Sequence, residues 1–302
     1  MNNRITYSIL KHLSLCLIVM FVFDVANAQT KRALLIGISE YPQNDNNSWE
    51  NIHGANDVAL IASTLKSKNF RVTKLTNKQA TAKRIREEFN SLVRLCQPGD
   101  IVYIHFSGHG QPYEDVKPYD EEDGWDESII PYDAQKIYCK GKYEGTNHIL
   151  DDELHLFFEQ IRNKIGLKGF LCVVIDACHA GGASRGDDLE EDEEVFIRGT
   201  KDAFSPNGKI YRPRINTNGH FIINKNNKQG DIVILEACRS YQSNFEIKQD
   251  GKYFGPLSYY VNKTLLTHQL TNSLNWVQEV KRMMDGDQRL TRQNMVYETS
   301  LK

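Results

Sequence analysis

The chain has 302 residues and a formal net charge of −2, with a quarter of its residues charged and 40% hydrophobic. That length supports one sizeable core or two small ones; with no Pro- or Ser-rich linker and no internal repeat, one domain is expected. The near-neutral balance and the lack of a basic stripe argue against a nucleic-acid partner.

The first 28 residues do not read as folded protein. Arg4 and Lys11 precede an apolar stretch from Leu13 to Val25, and Ala26-Asn27-Ala28 is a small-x-small cleavage pattern. This predicts a secretory signal peptide over 1–28, a domain over 29–302, and export to the periplasm or beyond the cell. The apolar run is short for a membrane span and carries Asp24, so no stable membrane anchor is expected after the cut. Cys96, Cys139, Cys172, Cys178 and Cys238 remain, an odd and irregular set unlike a disulfide scaffold. Cys172 and Cys238 sit in apolar strand-like runs and are expected as buried thiols, whereas Cys178 lies just past a strand end.

Ala33 to Ile38 is a compact apolar run fit for a central strand. Val58, Ile61, Ala62 and Leu65 recur at helical spacing, and Phe70 to Leu75 alternates like a strand near the sheet margin. Ile85, Phe89, Leu92 and Cys96 mark a second helix with Thr81 as its cap. Strand Ile101–Phe106 follows a Pro98-Gly99 turn, and a short strand is expected over Ser128–Pro131. Leu154, Phe157, Phe158, Ile161 and Ile165 predict a third helix begun by Asp151 or Asp152, then strand Phe170–Ile175. The interval at about 181–230, with its acidic run from Asp187 to Glu194, reads as a long loop insert. Strand Ile232–Ala237 resumes the core, Pro256 opens another helix, and Trp276, Val280, Met283 and Met284 form a last helical stripe. Strands alternating with helices predict an α/β fold with a mostly parallel central sheet and helices on both faces.

Two strands end in reactive side chains. Ile101 to Phe106 runs into Ser107-Gly108-His109-Gly110, and Phe170 to Ile175 runs into Asp176-Ala177-Cys178. Parallel strands share one C-terminal edge, where ligands bind. An imidazole and a thiol brought together there are the equipment of a cysteine hydrolase. His109 is the expected base, and the flanking glycines allow a sharp turn and close substrate approach. The backbone N–H groups of Gly110 and Cys178 are the expected oxyanion donors. His105 lies inside its strand and points to a face, and His179 tends to point away from Cys178. No C-x-x-C or H-x-x-x-H spacing supports zinc.

His105-Phe-Ser-Gly-His109-Gly and Asp176-Ala-Cys178-His-Ala-Gly resemble the two active-site signatures of the caspase-like cysteine peptidases, above all the metacaspases and their bacterial relatives. Asn56-Asp57-Val58, Asp126 to Pro131, Ile149 to Leu154 and Ala237 to Ser240 stand where that family has similar segments, so the resemblance covers nearly the whole chain after residue 28. It implies a caspase-like three-layer αβα fold and a thiol protease that cuts after Arg or Lys, with peptides or proteins carrying those residues as partners. It matches Asp57 and Asp176 to the acidic substrate-binding pocket; physically, a carboxylate pair suits the fixed fork of a guanidinium. It implies no cofactor for the chemistry. Calcium enters as an activator, with Asp126, Asp151 and Asp152 at matching positions, while the fourth, Arg185, carries the wrong charge for a ligand and leaves Asp187 or Asp188 as the substitutes. Family members often cut themselves in the loop after the nucleophile. Arg185, Arg198, Lys201, Lys209, Arg212 and Arg214 are the basic residues at which such a zymogen would be processed. A catalytically silent caspase-like binding module and another cysteine hydrolase of the same clan are the rival expectations.

Overall fold

The computed structural model describes residues 29–43, 48–117, 119, 121–178, 194–200 and 202–301. The expected signal peptide, His179, Arg185, Asp187, Asp188 and Lys201 lie outside them. In chain order the strands are β1 Lys31–Gly37, β2 Phe70–Thr76, β3 Ile101–Ser107, β4 Gly110–Glu114, β5 Trp125–Ile129, β6 Ile149–Leu150, β7 Phe170–Asp176, β8 His220–Ile222, β9 Asp231–Glu236, β10 Ile247–Gln249, β11 Lys252–Phe254 and β12 Val296–Thr299. The helices are α1 Gly54–Ser67, α2 Ala82–Leu95, α3 Asp151–Ile165, α4 Pro256–Thr267 and α5 Asn275–Asp285.

A seven-stranded sheet runs β2-β1-β3-β7-β9-β12-β8. The first five strands are parallel, β12 is antiparallel to β9, and β8 pairs parallel with β12. Strand residues alternate between two cores, as a period of two requires. On one face Leu35, Tyr103, Val174 and Leu235 meet α1, α4 and α5 through Ile61, Val261 and Trp276. On the other Leu34, Val102, Val173 and Ile234 meet α2 and α3 through Phe89 and Ile161. The result is the expected three-layer arrangement, and residues 31–302 make one compact unit.

Local chemistry sets the element ends. Thr81 caps α2, its side chain accepting from the Arg84 N–H at 3.3 Å. Pro256 occupies the first turn of α4, where its missing N–H costs nothing. β10 and β11 are joined through Asp250 and Gly251, both at positive φ, the backbone that a two-residue hairpin turn demands.

Three expectations are corrected. The strand expected over Ser128–Pro131 spans Trp125–Ile129 instead: the last cross-strand bond runs from the Ile130 N–H to the His109 carbonyl, and Pro131 has no N–H to carry the ladder further. The 181–230 interval is not all loop: it supplies β8, and Ile197 forms an antiparallel bridge with Phe245. Cys238 is buried as expected but lies two residues past β9, at the sheet edge rather than within the strand.

The β3–β7 register pairs Ser107 with Asp176, so His109 and Cys178 each sit two residues beyond the same edge. The start of α1 packs directly onto that edge. A Cβ on Gly54 would lie 2.2 Å from the Ser107 carbonyl oxygen, and one on Gly37 would lie 2.4 Å from that of Gly54. Only glycine permits this approach, which carries Asp57 to the strand ends. Gly54→Ala is expected to lower the unfolding free energy by about 1–3 kcal/mol, read as a fall in Tm.

Candidate active site

His109 is buried in an aromatic slot, its ring stacked on Trp49 with centroids 4.9 Å apart and tilted against Tyr41 at 5.1 Å. Tyr41 Oη accepts from the His109 backbone N–H at 3.1 Å and donates to the Ile130 carbonyl at 3.2 Å. Nε2 lies 2.8 Å from the Glu50 carbonyl oxygen. That oxygen can only accept, so Nε2 carries the proton and Nδ1 keeps the basic lone pair. Nδ1 is buried without a hydrogen-bond partner among the described residues. Burial lowers the imidazole to about 4, against an upward pull from the Glu50 hydrogen bond, so the ring is neutral at pH 7.

The Cys178 thiol donates to the Gln242 carbonyl at 2.8 Å. The two expected oxyanion donors point at one atom: the N–H groups of Gly110 and Cys178 both donate to the Arg198 carbonyl, at 3.3 and 2.8 Å. The next residue, Gly199, passes against the thiol-bearing residue. A Cβ there would lie 2.2 Å from the Cys178 carbonyl oxygen and 3.1 Å from Cys178 Cβ.

The Arg198 side chain is fully buried and runs into the group containing Asp57 and Asp176. Nη2 is 2.7 Å from Asp57 Oδ2, and Nη1 is 3.5 Å from Asp176 Oδ1. Nη1 also donates to Ser107 Oγ at 2.5 Å and to the Asp176 carbonyl at 3.3 Å. A third carboxylate, Glu246, receives Nε at 3.0 Å and Nη2 at 2.8 Å on one oxygen. Gly255 closes the wall, since a Cβ there would lie 2.2 Å from Asp176 Oδ2 and 2.4 Å from Arg198 Nη1.

The carboxylates are themselves held. Asp57 accepts from Ser107 Oγ at 2.6 Å and from the Gly255 N–H at 3.2 Å. Asp176 accepts from the Ser258 N–H and hydroxyl, each at 2.7 Å, and from the Asn244 amide at 2.7 Å. Glu246 accepts from the His53 backbone N–H at 2.8 Å and pairs with His53 Nδ1 at 2.5 Å. Burial raises Asp57 to about 7, opposed by Arg198 and aided by Asp176. Burial also pushes Glu246 up, but Arg198 and His53 outweigh it and hold the group at about 2. Arg198 is raised: burial works against its charge, and the three carboxylates win. Backbone pairing seats the same segment, with the Arg198 N–H on the Asn244 carbonyl and the Glu246 N–H on that of Phe196, each at 3.0 Å.

Such an arrangement sets an arginine side chain in an acidic pocket, its carbonyl on two N–H donors, its following bond beside a thiol, and a neutral imidazole at the neighbouring strand end. The chain matches the family model described as metacaspase, peptidase C14 domain, over residues 31–185. It belongs to the metacaspase family. Metacaspase-1 of Mycosarcoma maydis is 28% identical over 78% of this chain and 63% of its own length. Metacaspase-2 of Trypanosoma brucei brucei is 27% identical over 74% of this chain and 58% of its own length. Metacaspase-1 of Botryotinia fuckeliana is 33% identical over 54% of this chain and 38% of its own length. The chain thus spans less than two thirds of these relatives. Protein GSU0716 from Geobacter sulfurreducens shares the fold, with a TM-score of 0.61 at 17% identity, covering 90% of this chain and 94% of that one.

His105 is a framework residue of this metacaspase fold: buried, it sits 3.2 Å from the Tyr103 hydroxyl and 3.1 Å from Ser258 Oγ. Asp126 belongs to β5, and Asp151 and Asp152 open α3. Asp126 is buried on β5, where Oδ2 accepts from the Val116 N–H at 3.1 Å. Asp151 is the first residue of α3 rather than its cap, and Oδ1 accepts from the Glu127 N–H at 3.2 Å. Burial raises Asp151 to about 8, with the neighbouring charges of Glu127, Asp126, Glu121 and Asp152 adding to it. The donors are oxygens of the kind calcium takes. Among the described residues, however, no three His, Cys, Asp or Glu side chains stand close enough together to hold a metal ion.

Sequence reasoning missed Glu246 and missed that Arg198 fills the pocket. Glu246 lies just before β10 and had no periodic signal to mark it. Its folded-state group at about 2 lies below the ordinary 4.5, so its stabilisation is complete above about 4.5 and fades as the pH falls toward 2. The wild type is expected to exceed Glu246→Gln in unfolding free energy by about 3 kcal/mol at pH 6. That difference should close between pH 4.5 and 2, as read by urea unfolding across the range.

Proposed function

We propose that this chain is a cysteine endopeptidase that cuts after arginine or lysine, and that one of its substrates is its own Arg198–Gly199 bond. The observation that carries the reading is the seating of Arg198, with its guanidinium among Asp57, Asp176 and Glu246 and its carbonyl on the N–H groups of Gly110 and Cys178.

In the proposed reaction the Cys178 thiol leaves the Gln242 carbonyl, gives its proton to His109 Nδ1 and attacks the carbonyl carbon of the basic residue. The Gly110 and Cys178 N–H groups take the charge that develops on oxygen. His109 returns the proton to the departing amine, and water then hydrolyses the thioester. Trp49 and Tyr41 hold the ring, and the Glu50 carbonyl keeps the tautomer that leaves Nδ1 basic. Among the basic residues of the loop, Arg198 alone of the described candidates lies in the pocket: Lys209 pairs with Glu114 and Arg214 with Glu122.

Export belongs to the same proposal and rests on the pattern of residues 1–28; the exported form would begin at Gln29. Calcium enters only as an activator, and no step is routed through it. Burial first, and then the charges of Glu127, Asp126, Glu121 and Asp152, raise Asp151, and a cation beside it would favour its ionised form. A rise in peptidase rate with calcium that Asp126→Ala abolishes is expected, and an unchanged rate in chelator would remove calcium from the account.

Incubated wild-type chain is expected to yield a new N-terminus at Gly199, while Cys178→Ala and Arg198→Ala stay intact at that bond. The same fragments from Cys178→Ala would show that another protease makes them. A peptide panel should show cleavage after Arg, weaker cleavage after Lys and none after Asp. Asp57→Asn should cut kcat/KM on Arg peptides by about 10- to 100-fold, the weight of a charged hydrogen bond.

A further inference from the structure

A second thiol touches the first. Cys178 and Cys238 both donate to the Gln242 carbonyl oxygen, at 2.8 and 3.5 Å, so both sulfurs lie within reach of one atom. The sheet explains the meeting. β7 and β9 are parallel neighbours with Ile175 paired to Glu236, so Cys238 comes level with Ala177, one residue short of Cys178. The Ala237 N–H still bonds to the Ile175 carbonyl at 3.2 Å, which carries the pairing past the formal end of β9. Neighbouring strands run about 4.8 Å apart and one residue rises about 3.3 Å, a diagonal of about 5.8 Å that falls in the Cα range at which a disulfide closes without moving the backbone. The Cys238 thiol is raised, first by its hydrogen bond with Cys178 and then by burial. Nothing in the proposed peptidase reaction uses Cys238.

We propose that Cys238 is a resolving thiol for Cys178, closing a reversible Cys178–Cys238 disulfide when a peroxide oxidises the nucleophile. The idea rests on the reading of Cys178 as the reactive thiol. In the first step the Cys178 thiolate attacks one peroxide oxygen. The O–O bond breaks, hydroxide or alkoxide leaves, and Cys178 becomes a sulfenic acid, oxidised by two electrons while the peroxide is reduced. In the second step Cys238 sulfur attacks the sulfenic sulfur. The S–S bond forms, the S–O bond breaks, and the Cys238 proton leaves with the hydroxyl as water. The order is set by chemistry: in the proposed reaction Cys178 is the thiol that has a base, His109, and once it is a sulfenic acid its sulfur is the electrophile that Cys238 meets. A dithiol reductant reverses the bond and restores the nucleophile. Without Cys238, the sulfenic acid would climb to the sulfinic and sulfonic acids, which dithiols do not reverse.

The test uses the full chain treated with hydrogen peroxide, then alkylated and mapped by mass spectrometry without reduction. A Cys178–Cys238 cross-linked peptide is expected, lighter than its two parts by two hydrogens and released by dithiothreitol. Cys238→Ala should show no cross-link and should accumulate Cys178 sulfinic acid. Cys139→Ser, which removes an exposed thiol, should keep the cross-link. Activity on an Arg peptide should vanish with peroxide in both wild type and Cys238→Ala, and return with dithiothreitol only in wild type. Sulfinic acid at Cys178 forming equally fast in wild type and Cys238→Ala, with no cross-link, would overturn the proposal. The mass readout does not depend on peptidase activity. A cross-link in a chain that cleaves nothing would therefore count against the proposed function and for the thiol pair, and cleavage without a cross-link would count the other way.

Discussion

The burial of one guanidinium among three carboxylates is the constraint around which the site end of this molecule is arranged. Bringing charges out of water is costly, and mutual attraction repays the cost only when each charge is also hydrogen-bonded. Here that condition dictates small residues and polar tethers at several places in the chain. Gly54 and Gly255 supply the room, Ser107 and Ser258 supply hydroxyls, and Asn244 and His53 anchor the outer oxygens. The carboxylates outnumber the cation, and the surplus is visible in Asp57, held near 7 by burial despite Arg198 at 2.7 Å. Without a cation the pocket would have to take up protons or water. In this structure the cation comes from the chain itself, through Arg198.

The second constraint is the register of β3 on β7. A slip of one residue would turn every inward side chain to the opposite core, so the pairing is set by Val102, Ile104, Val173 and their neighbours far from the chemistry. Once it is set, Ser107 stands beside Asp176, and the segments that follow emerge on one edge. One carbonyl, that of Arg198, then joins the two segments through the Gly110 and Cys178 N–H groups. The core specifies the edge, and the edge brings the segments that follow β3 and β7 to the same carbonyl oxygen.

Most of the framework was legible because it is periodic or locally punctuated. The apolar runs of β1, β3, β7 and β9, the helical stripe of α1 and the Thr81 cap all express their structure within a dozen residues. Asp176 was legible through its place at a strand end and through family likeness, Asp57 through family likeness alone. Glu246 and the pocket role of Arg198 were not, because their meaning lies in contacts across 48 residues to each other and 91 to Ser107. Their segments pair through single bridges rather than long ladders, so no alternation marks them. β8 failed for a similar reason: it is three exposed residues whose partner, β12, comes near the end of the chain. Cys238 was read as a core thiol because its apolar run continues past the point where β9 stops, and composition does not mark a strand end.

Under the proposed function the pocket would also rank its guests by geometry. Arg198 uses three nitrogens, with Nε and Nη2 on Glu246, Nη2 on Asp57, and Nη1 on Ser107 and Asp176. A guanidinium carries five donors in one plane and spreads its charge over them. A lysine ammonium is a compact point charge with three donors, so it can meet one or two of these carboxylates closely but cannot span all of them. The carboxylate left without a partner stays buried and charged, or takes a proton, and either outcome subtracts from binding. An aspartate guest would add a fourth negative charge to a site that already strains to hold three. Under that function the number and spread of the acceptors would separate arginine from lysine by degree, whereas the sign of the pocket would separate both from acidic residues outright.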